Sequence, residues 1–363
     1  MPVRIQVYRR IWLTAVVVVV LATVFAWRAG AGGKRVRFVP RFATGDTLRY
    51  QIESRTTTTG KATEPIQNPE GNSRLKQTAN LVVKLEVLGV DAAAVTPRAA
   101  SAQTTGGDRI HMRATYEKAS AKTETDAYDP TAQTLEEQYN RLEGRAMEFT
   151  VEPDGKLSDM KGMDDVLANP STAEAARSWM TGIASGGGFP KEGIVPGQRW
   201  TNEKPLEGAP LAGLVWHTES TYLRDEDCTA SAAGKGVAAE RGPSENGDPR
   251  AAVLPAATAR PRESCAVVLT RFEIVRKASK DDQTPEDFRK NGLRTSGTWT
   301  GSGQSLDSIS LTTSLLMSST QTSVQEMNLD IVSPSAGSKI HYQGKVESES
   351  EITLLLQEKG ESK

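Results

Sequence analysis

The sequence predicts a mainly β protein: one large, curved antiparallel sheet or two related β lobes, with one central helix and a preceding N-terminal transmembrane helix. Ser, Thr, Gly and Val are abundant, and many strand-length stretches alternate apolar and polar residues. That period of two is typical of antiparallel sheet with one buried and one wetted face. A helical period is convincing only over residues 171–184, and residues 11–27 form a long run without charge.

The uncharged run predicts a membrane-spanning helix. Its seventeen residues reach about 26 Å as an α-helix, near the lower limit for crossing bilayer hydrocarbon. The run includes five consecutive valines, and a helix that is apolar all round satisfies its backbone in lipid but exposes apolar surface in water. Trp12 and Trp27 stand at the two ends, where amphipathic rings prefer the membrane interfaces.

Two processing outcomes remain open for this segment. If it is retained, residues 1–10 form a cytoplasmic tail, residues 11–27 a single-pass anchor in the inner membrane, and residues 28–40 a basic linker. If it is a signal peptide, Ala29-Gly30-Ala31 is a small-x-small cleavage site, and cleavage after Ala31 releases a secreted or periplasmic chain. No cysteine lies directly after the run, which excludes a lipid-modified N-terminus. Both outcomes place the large domain outside the cytoplasm.

Residues 41–190 are expected to form a first β-rich half. Alternating apolar residues predict strands at 47–55, 81–88, 109–117 and 147–151. Pro153-Asp154-Gly155 then predicts a turn toward Leu157.

The predicted central helix covers residues 171–184. Ser171 and Glu174 have the spacing of a capping box, and Gly186-Gly187-Gly188 follows the helix as a stop signal. An apolar stripe at helical spacing comprises Ala175, Ala176, Trp179, Met180 and Ile183.

Residues 191–358 are expected to form a second β-rich half. Strands are predicted at 218–223, 266–276, 325–331 and 339–357, the last of them long enough to bend or split. A further strand is predicted around residues 309–317, with Ile309, Leu311, Leu315 and Met317 on one face.

The chain has two cysteines, Cys228 and Cys265. The first ends a strand-like stretch and the second begins another. The insert between them, residues 229–263, is rich in Ala, Gly, Pro, Glu and Arg, a composition typical of a flexible loop with little to bury. In an oxidising compartment we expect a disulfide at the base of the insert; two separate buried thiols are the alternative.

The sequence predicts no catalytic, cofactor-binding or metal-binding residue. His111, His217 and His341 are far apart and belong to no known catalytic spacing. Gly301-Ser302-Gly303 precedes a Ser/Thr-rich strand, whereas a phosphate loop precedes a helix. The acidic groups at 164–165, 225–227 and 281–282 are interpreted as solvated turns. With 44 basic and 45 acidic residues, the chain has no field that favours nucleic acid.

The stretch PKEGIVPGQRW, with Pro190, Val195, Gly197 and Trp200, resembles a strand entry that recurs in uncharacterised bacterial envelope proteins. Those families also begin their mature part with a strand of the GDTLRYQIES kind, as this chain does. The resemblance implies an extracytoplasmic β-rich domain of unknown function. A looser similarity is to periplasmic lipoprotein carriers, whose incomplete antiparallel barrel holds acyl chains.

We therefore expect a membrane-anchored envelope protein that binds or scaffolds and does not catalyse. Its partner would be another envelope protein or a lipophilic molecule held against the sheet, with Trp179, Met180 and Ile183 as a candidate apolar pocket. The alternative is a secreted or anchored hydrolase whose acidic residues converge from distant strands.

Overall fold

The structure is a computed structural model. It describes the following residues: 35–39, 41–62, 72–91, 108–126, 136–152, 157–162, 180, 188–206, 208–228, 263–277, 283–333 and 337–358.

Eleven strands make up most of the described chain. They are β1 Thr47–Ala62, β2 Asn72–Asp91, β3 Arg109–Thr125, β4 Ala146–Val151, β5 Leu157–Lys161, β6 Arg199–Pro205, β7 Leu214–Asp227, β8 Ser264–Arg276, β9 Arg294–Ser310, β10 Leu316–Ser333 and β11 Ser338–Glu358. Helix is scarce in the described ranges, with one turn at residues 136–140 and a short helix at Glu286–Lys290.

The eleven strands form one open antiparallel sheet in the order β5-β4-β3-β2-β1-β11-β10-β9-β8-β7-β6. Strands that are consecutive in sequence pair with each other, except β5 and β6, which form the two edges of the sheet. In addition, β1 pairs with β11 from Thr47↔Glu358 to Ala62↔Tyr342. The first and last strands therefore lie side by side at the centre. The prediction of a mainly β fold is confirmed, and the strands form one large sheet.

The two faces of the sheet differ as the alternation predicts. We call the face that carries Tyr50 the core face, because its first half holds the largest buried cluster. Tyr50 is fully buried there, and its hydroxyl donates to the Leu316 carbonyl at 3.0 Å. Burial raises the pKa of the Tyr50 phenol. The buried members of this cluster on β1–β4 are Leu48, Tyr50, Ile52, Val83, Leu85, Val87, Ile110, Met112, Ala114, Tyr116, Ala119, Met147, Phe149 and Val151.

The opposite, polar face carries cross-strand ion pairs. Arg49 contacts Glu117 at 3.0 Å, and Arg113 contacts Glu148 at 2.6 Å. Exposed pairs of this kind contribute little to stability, so we interpret them as a solvated surface that keeps the strands in register.

One strand prediction in the second half needs correction. Residues 309–317 are not one strand, because β9 ends at Ser310 and β10 begins at Leu316. The Ser310 hydroxyl accepts the backbone N–H groups of Thr312 and Thr313 at 3.1 and 2.9 Å, and Ser314 has a positive φ of 59°. These local hydrogen bonds turn the chain between β9 and β10. The apolar residues whose spacing suggested one strand therefore lie on both sides of a turn. The long C-terminal strand predicted at residues 339–357 is confirmed: β11 is continuous over 21 residues, with one irregularity in its pairing opposite Arg49 and Tyr50.

Part of the predicted linker at residues 28–40 is packed into the fold. Val36 forms a β-bridge with Ile194, with both N···O distances at 2.8 Å. Phe38 is buried, and its ring lies 4.7 Å from that of Phe189. The packed unit therefore extends at least to Val36.

Several predictions fall on residues outside the described ranges. These include the apolar run at 11–27, most of the helix at 171–184 and the insert from 229 to 262. In the ranges that the structure does describe, no helix is both long and apolar enough to span a bilayer.

Candidate functional site

Cys228 and Cys265 form a disulfide, as the sequence predicts. Their α-carbons are 4.9 Å apart, and both residues are buried. The β7–β8 ladder ends at the pair Asp227↔Ser264, so the bridge ties the strand ends at the base of the insert.

The three histidines lie on the polar face, each beside a carboxylate. His217 Nδ1 is 3.2 Å from Glu203 Oε1, and His341 Nδ1 is 2.9 Å from Asp330 Oδ1. Lys277 also contacts Glu203, and Lys339 also contacts Asp330. These contacts lower the pKa values of Glu203 and Asp330. In the described part of the chain, no group of three or more His, Cys, Asp or Glu residues is arranged to hold a metal ion.

His111 lies between a hydroxyl and a carboxylate, a contact that the sequence did not reveal. Its Nδ1 is 3.0 Å from Thr150 Oγ1, and its Nε2 is 2.9 Å from Asp91 Oδ2. This is the connectivity of a nucleophile, base and orienting acid. Thr150, however, is only 2% exposed, so no substrate carbonyl reaches its hydroxyl. We interpret the three residues as a cross-strand hydrogen-bond relay that satisfies a buried threonine.

The core face of the second half carries a contiguous group of large apolar side chains. We call it the aromatic patch, and its members are Trp216 on β7, Phe272 and Ile274 on β8, Trp299 on β9 and Tyr342 on β11. All five are half-buried in the structure. The Trp216 and Phe272 rings pack edge to face, with centroids 5.4 Å apart, a favourable geometry for aromatic pairs.

Glycines beneath the patch let its side chains lie along the sheet. A Cβ added at Gly303 would lie 2.4 Å from Cζ of Phe272, and one added at Gly344 would lie 2.5 Å from the Tyr342 hydroxyl oxygen. A Cβ at Gly301 would similarly meet Ile274 Cδ1 at 2.8 Å. Only glycine leaves room for such close approach. The side chains of the patch therefore lie close to the sheet and form a shallow apolar surface.

Buried clusters border the patch at both ends of the strands. At one end, the β6–β7 connection folds over Leu329, and Leu206 N–H donates to Leu214 O at 2.9 Å to close it. Members of the patch pack against this cluster, whose buried residues are Ala209, Leu211, Leu214 and Leu329. At the other end lies a cluster of Phe38, Ile194, Tyr222, Ala266, Val268 and Ile309.

Small polar residues cover the core face between these clusters. The Ser220 and Thr270 hydroxyls are 2.9 Å apart, so they satisfy each other within the sheet. Asp307 accepts hydrogen bonds from Ser319 Oγ at 2.6 Å and Ser305 Oγ at 3.2 Å. Burial nevertheless raises the pKa of the Asp307 carboxyl above its usual range. The arrangement combines apolar area with hydroxyl groups and one acid.

The polar face bears a separate hollow of about 570 Å³ across β1, β11, β10 and β9. Its lining is mostly polar, and its residues are Thr59, Gly60, Lys61, Thr298, Thr300, Glu326, Met327, Asn328, Gln343, Gly344 and Lys345. We interpret this hollow as a solvated depression of the twisted strands, since no described side chain in it is buried without a partner.

The pocket predicted from sequence is only partly described. Met180 is completely buried and belongs to the core cluster of the first half. Trp179 and Ile183 lie outside the described residues, so a pocket formed by the three stays a prediction.

The sequence pattern singled out none of Trp216, Phe272, Trp299 and Tyr342 as a binding residue. A signal was available in β9, where Gly297, Gly301 and Gly303 recur on one face of the strand. Glycines at even spacing within a strand indicate that something large lies over them. Which side chains lie there depends on the pairing of β9 with β8 and β10.

The chain matches no known protein-family model and no curated protein sequence. Among solved structures it is similar to lipovitellin, from a study titled for its lipid–protein interactions, with a TM-score of 0.43 and 10% identity over 89% of this chain. This chain spans only 26% of that lipovitellin chain. It is also similar to the transport unit of the autotransporter AIDA-I from Escherichia coli, with a TM-score of 0.26 and 8% identity over 85% of this chain and 90% of that one. A third is an outer membrane channel from Pseudomonas putida F1, with a TM-score of 0.16 and 7% identity over 87% and 98%. All three TM-scores are below 0.5, so none bears on what this chain does.

Proposed function

We propose that this chain is a membrane-anchored, extracytoplasmic binding protein of the bacterial cell envelope. Its ligand is a lipophilic molecule held against the core face of the sheet, and its role is non-catalytic. The observation that carries the proposal is the aromatic patch: five large apolar side chains half-buried on the core face, with glycines beneath three of them.

The apolar area of the patch is large enough to contribute several kcal/mol to binding. Covering about 40 Å² on each of its five members removes about 200 Å² of apolar surface from water, which contributes about 5 kcal/mol before the costs of association. Flat aromatic rings also give this area at little cost in side-chain entropy.

The location has separate support. A disulfide forms between Cys228 and Cys265, and disulfides persist mainly in oxidising compartments outside the cytoplasm. The apolar run at 11–27 supplies either an anchor or an export signal. N-terminal sequencing of the chain isolated from membranes distinguishes these two: we expect residues 1–31 to be present, and a start at Gly32 would show cleavage.

The binding proposal is tested by the lipid that copurifies with the full chain. Native mass spectrometry, followed by solvent extraction, gives the amount of lipid per protein. We expect Phe272→Ser and Trp299→Ser to reduce that amount about tenfold, because each removes a large apolar contact.

Matched controls exist on the polar face of neighbouring strands. Leu306 on β9 and Val324 on β10 are 39% and 38% exposed, and Leu306→Ser and Val324→Ser remove apolar area that is not in the patch. Lipid bound around the proposed anchor at residues 11–27 contributes the same amount in all four variants, so it does not affect the comparison. A wild-type chain without lipid, or equal lipid in patch and control variants, contradicts the proposal.

A further inference from the structure

Arg276 is the last residue of β8 and lies on the core face at the edge of the aromatic patch. It pairs across the strands with buried Leu214, and it follows Ile274 and Phe272 along the same face. Its Nε and Nη2 atoms are buried, and neither has a hydrogen-bond partner in the part of the chain that the structure describes.

Such an arrangement is costly for a guanidinium group. The group stays charged at any physiological pH, and buried donors without acceptors lose their hydration without compensation. Two other arginines in the sheet are paired: Arg49 with Glu117 and Arg113 with Glu148. Arg276 therefore differs from them in having donors ready for an acceptor that the described chain does not supply.

Two carboxylates at this end of the sheet, Glu203 and Asp330, are engaged on the opposite face. Glu203 contacts Lys277 and His217, and Asp330 contacts Lys339 and His341. Neither carboxylate lies on the core face with Arg276, because successive strand residues point to opposite sides.

We infer that the ligand is an anionic amphiphile, whose carboxylate or phosphate headgroup binds the Arg276 guanidinium while its apolar chain lies across the aromatic patch. The inference rests on the proposed function and specifies its ligand class. The dimensions of the aromatic patch suit the apolar chain of such a ligand. Arg276 lies about 14 Å from Phe272 along β8, and β8 lies about 14 Å from β11 across the sheet. Guanidinium groups bind carboxylate and phosphate oxygens through two parallel hydrogen bonds.

The test uses the full chain in its native membrane and two photoreactive probes of equal chain length. One is a diazirine-bearing palmitate, and the other is the matching neutral alcohol. Labelled peptides are identified by mass spectrometry. We expect the palmitate to label peptides of β8, β9 and β11, and to label them at least tenfold more than the alcohol does, because a hydrogen bond to a charged group is worth at least that factor.

Variants of Arg276 isolate the headgroup contact. We expect Arg276→Gln to reduce palmitate labelling about tenfold and leave alcohol labelling within twofold, while Arg276→Lys retains an intermediate level. Arg271→Gln is the matched control, since Arg271 lies on the same strand but is exposed on the polar face; it should change neither probe. Competition on the wild-type chain gives a second readout that needs no variant. Unlabelled hexadecyl phosphate should displace the palmitate, and inorganic phosphate should not, which distinguishes an amphiphile from a free anion.

The outcomes separate the two proposals. If neither probe labels the patch, the proposed function fails. If palmitate and alcohol label it equally, or Arg276→Gln lowers both alike, the patch binds apolar molecules without an anionic headgroup and this inference is overturned. Displacement by inorganic phosphate alone would overturn it as well.

Discussion

Reducing the Cys228–Cys265 disulfide should lower the free energy of unfolding while leaving the native fold in place. The β7–β8 ladder runs through Asp227↔Ser264 without help from the bridge, and Cys265 is completely buried. Two thiols at the same positions keep nearly the same packing. The bridge therefore acts mainly on the unfolded chain, in which it closes the loop between the two cysteines.

The magnitude follows from the length of the closed loop. The two cysteines are 37 residues apart in sequence, and the chain-entropy model gives a stabilisation of about 4 kcal/mol for a loop of that size. Removing residues 232–259 leaves a separation of nine residues, for which the same model gives about 1 kcal/mol less. The disulfide should thus stabilise the shortened chain less than the natural one.

The assay compares oxidised and fully reduced protein in guanidinium unfolding followed by circular dichroism. It uses the chain from Val36 onward, with and without residues 232–259. The difference in unfolding free energy between redox states is measured for each chain, so the deletion serves as its own control for any effect of the insert on the folded state.

Two results would refute the reasoning. A redox difference below about 1 kcal/mol in the natural chain would mean that the bridge does not constrain the unfolded ensemble. An equal redox difference in both chains would mean that its contribution does not depend on loop closure.

Three other predictions concern the sheet itself. A Cβ at Gly303 would lie 2.3 Å from the Thr322 carbonyl oxygen, so Gly303→Ala should lower the free energy of unfolding in urea by about 1–3 kcal/mol. The control is Gly89→Ala, where the nearest atom is His111 Cδ2 at 3.9 Å, and it should change that free energy by less than about 0.5 kcal/mol. Equal losses in the two variants would contradict the role of the close contact. Because burial raises the folded-state pKa of Asp307, the folded protein holds this proton more tightly than the unfolded chain, and stability is lost as pH rises from the ordinary aspartate pKa, about 3.9, through the raised value. Asp307→Asn should therefore gain stability relative to wild type across that window and keep the gain at higher pH; a difference that is constant from acid to neutral pH would contradict this sign. Finally, a chain that begins at Val36 should fold. One that begins at Arg41 should be less stable by about 3 kcal/mol, since it lacks buried Phe38 and the Val36–Ile194 bridge. Matching unfolding midpoints for the two chains would show that residues 36–40 add no stability.

Local pattern was enough to predict the fold class and one long-range contact. Strands with a strict period of two, such as those at Leu48–Ile52 and Ile110–Ala114, were predictable because one face of each is fully buried and the other is wetted. The disulfide was predictable because two cysteines in an oxidising compartment have only each other as partners.

The far ends of the long strands were not predictable in the same way. The stretches at Thr56–Gly60 and Thr298–Ser305 carry Ser, Thr and Gly on both faces, so they lack the apolar period that marks a strand. They are strands because they pair on both sides, in registers such as Gly60↔Gly344 and Gly303↔Ser323. Backbone hydrogen bonding to partner strands decides their conformation, and it requires no apolar period in their own sequence.

The sequence by itself determined the composition of each strand, the pair of cysteines and the apolar N-terminal run. Only the tertiary structure decided that β1 lies beside β11, that Phe272 covers Gly303 and that the Arg276 guanidinium is buried without a described partner. The physical reason is that a strand's sequence specifies which side chains share a face, whereas the identity of its neighbours is set by pairing with other segments, which for β1 and β11 are about 300 residues apart. The candidate binding surface is made of such neighbours, so it exists only in the folded sheet.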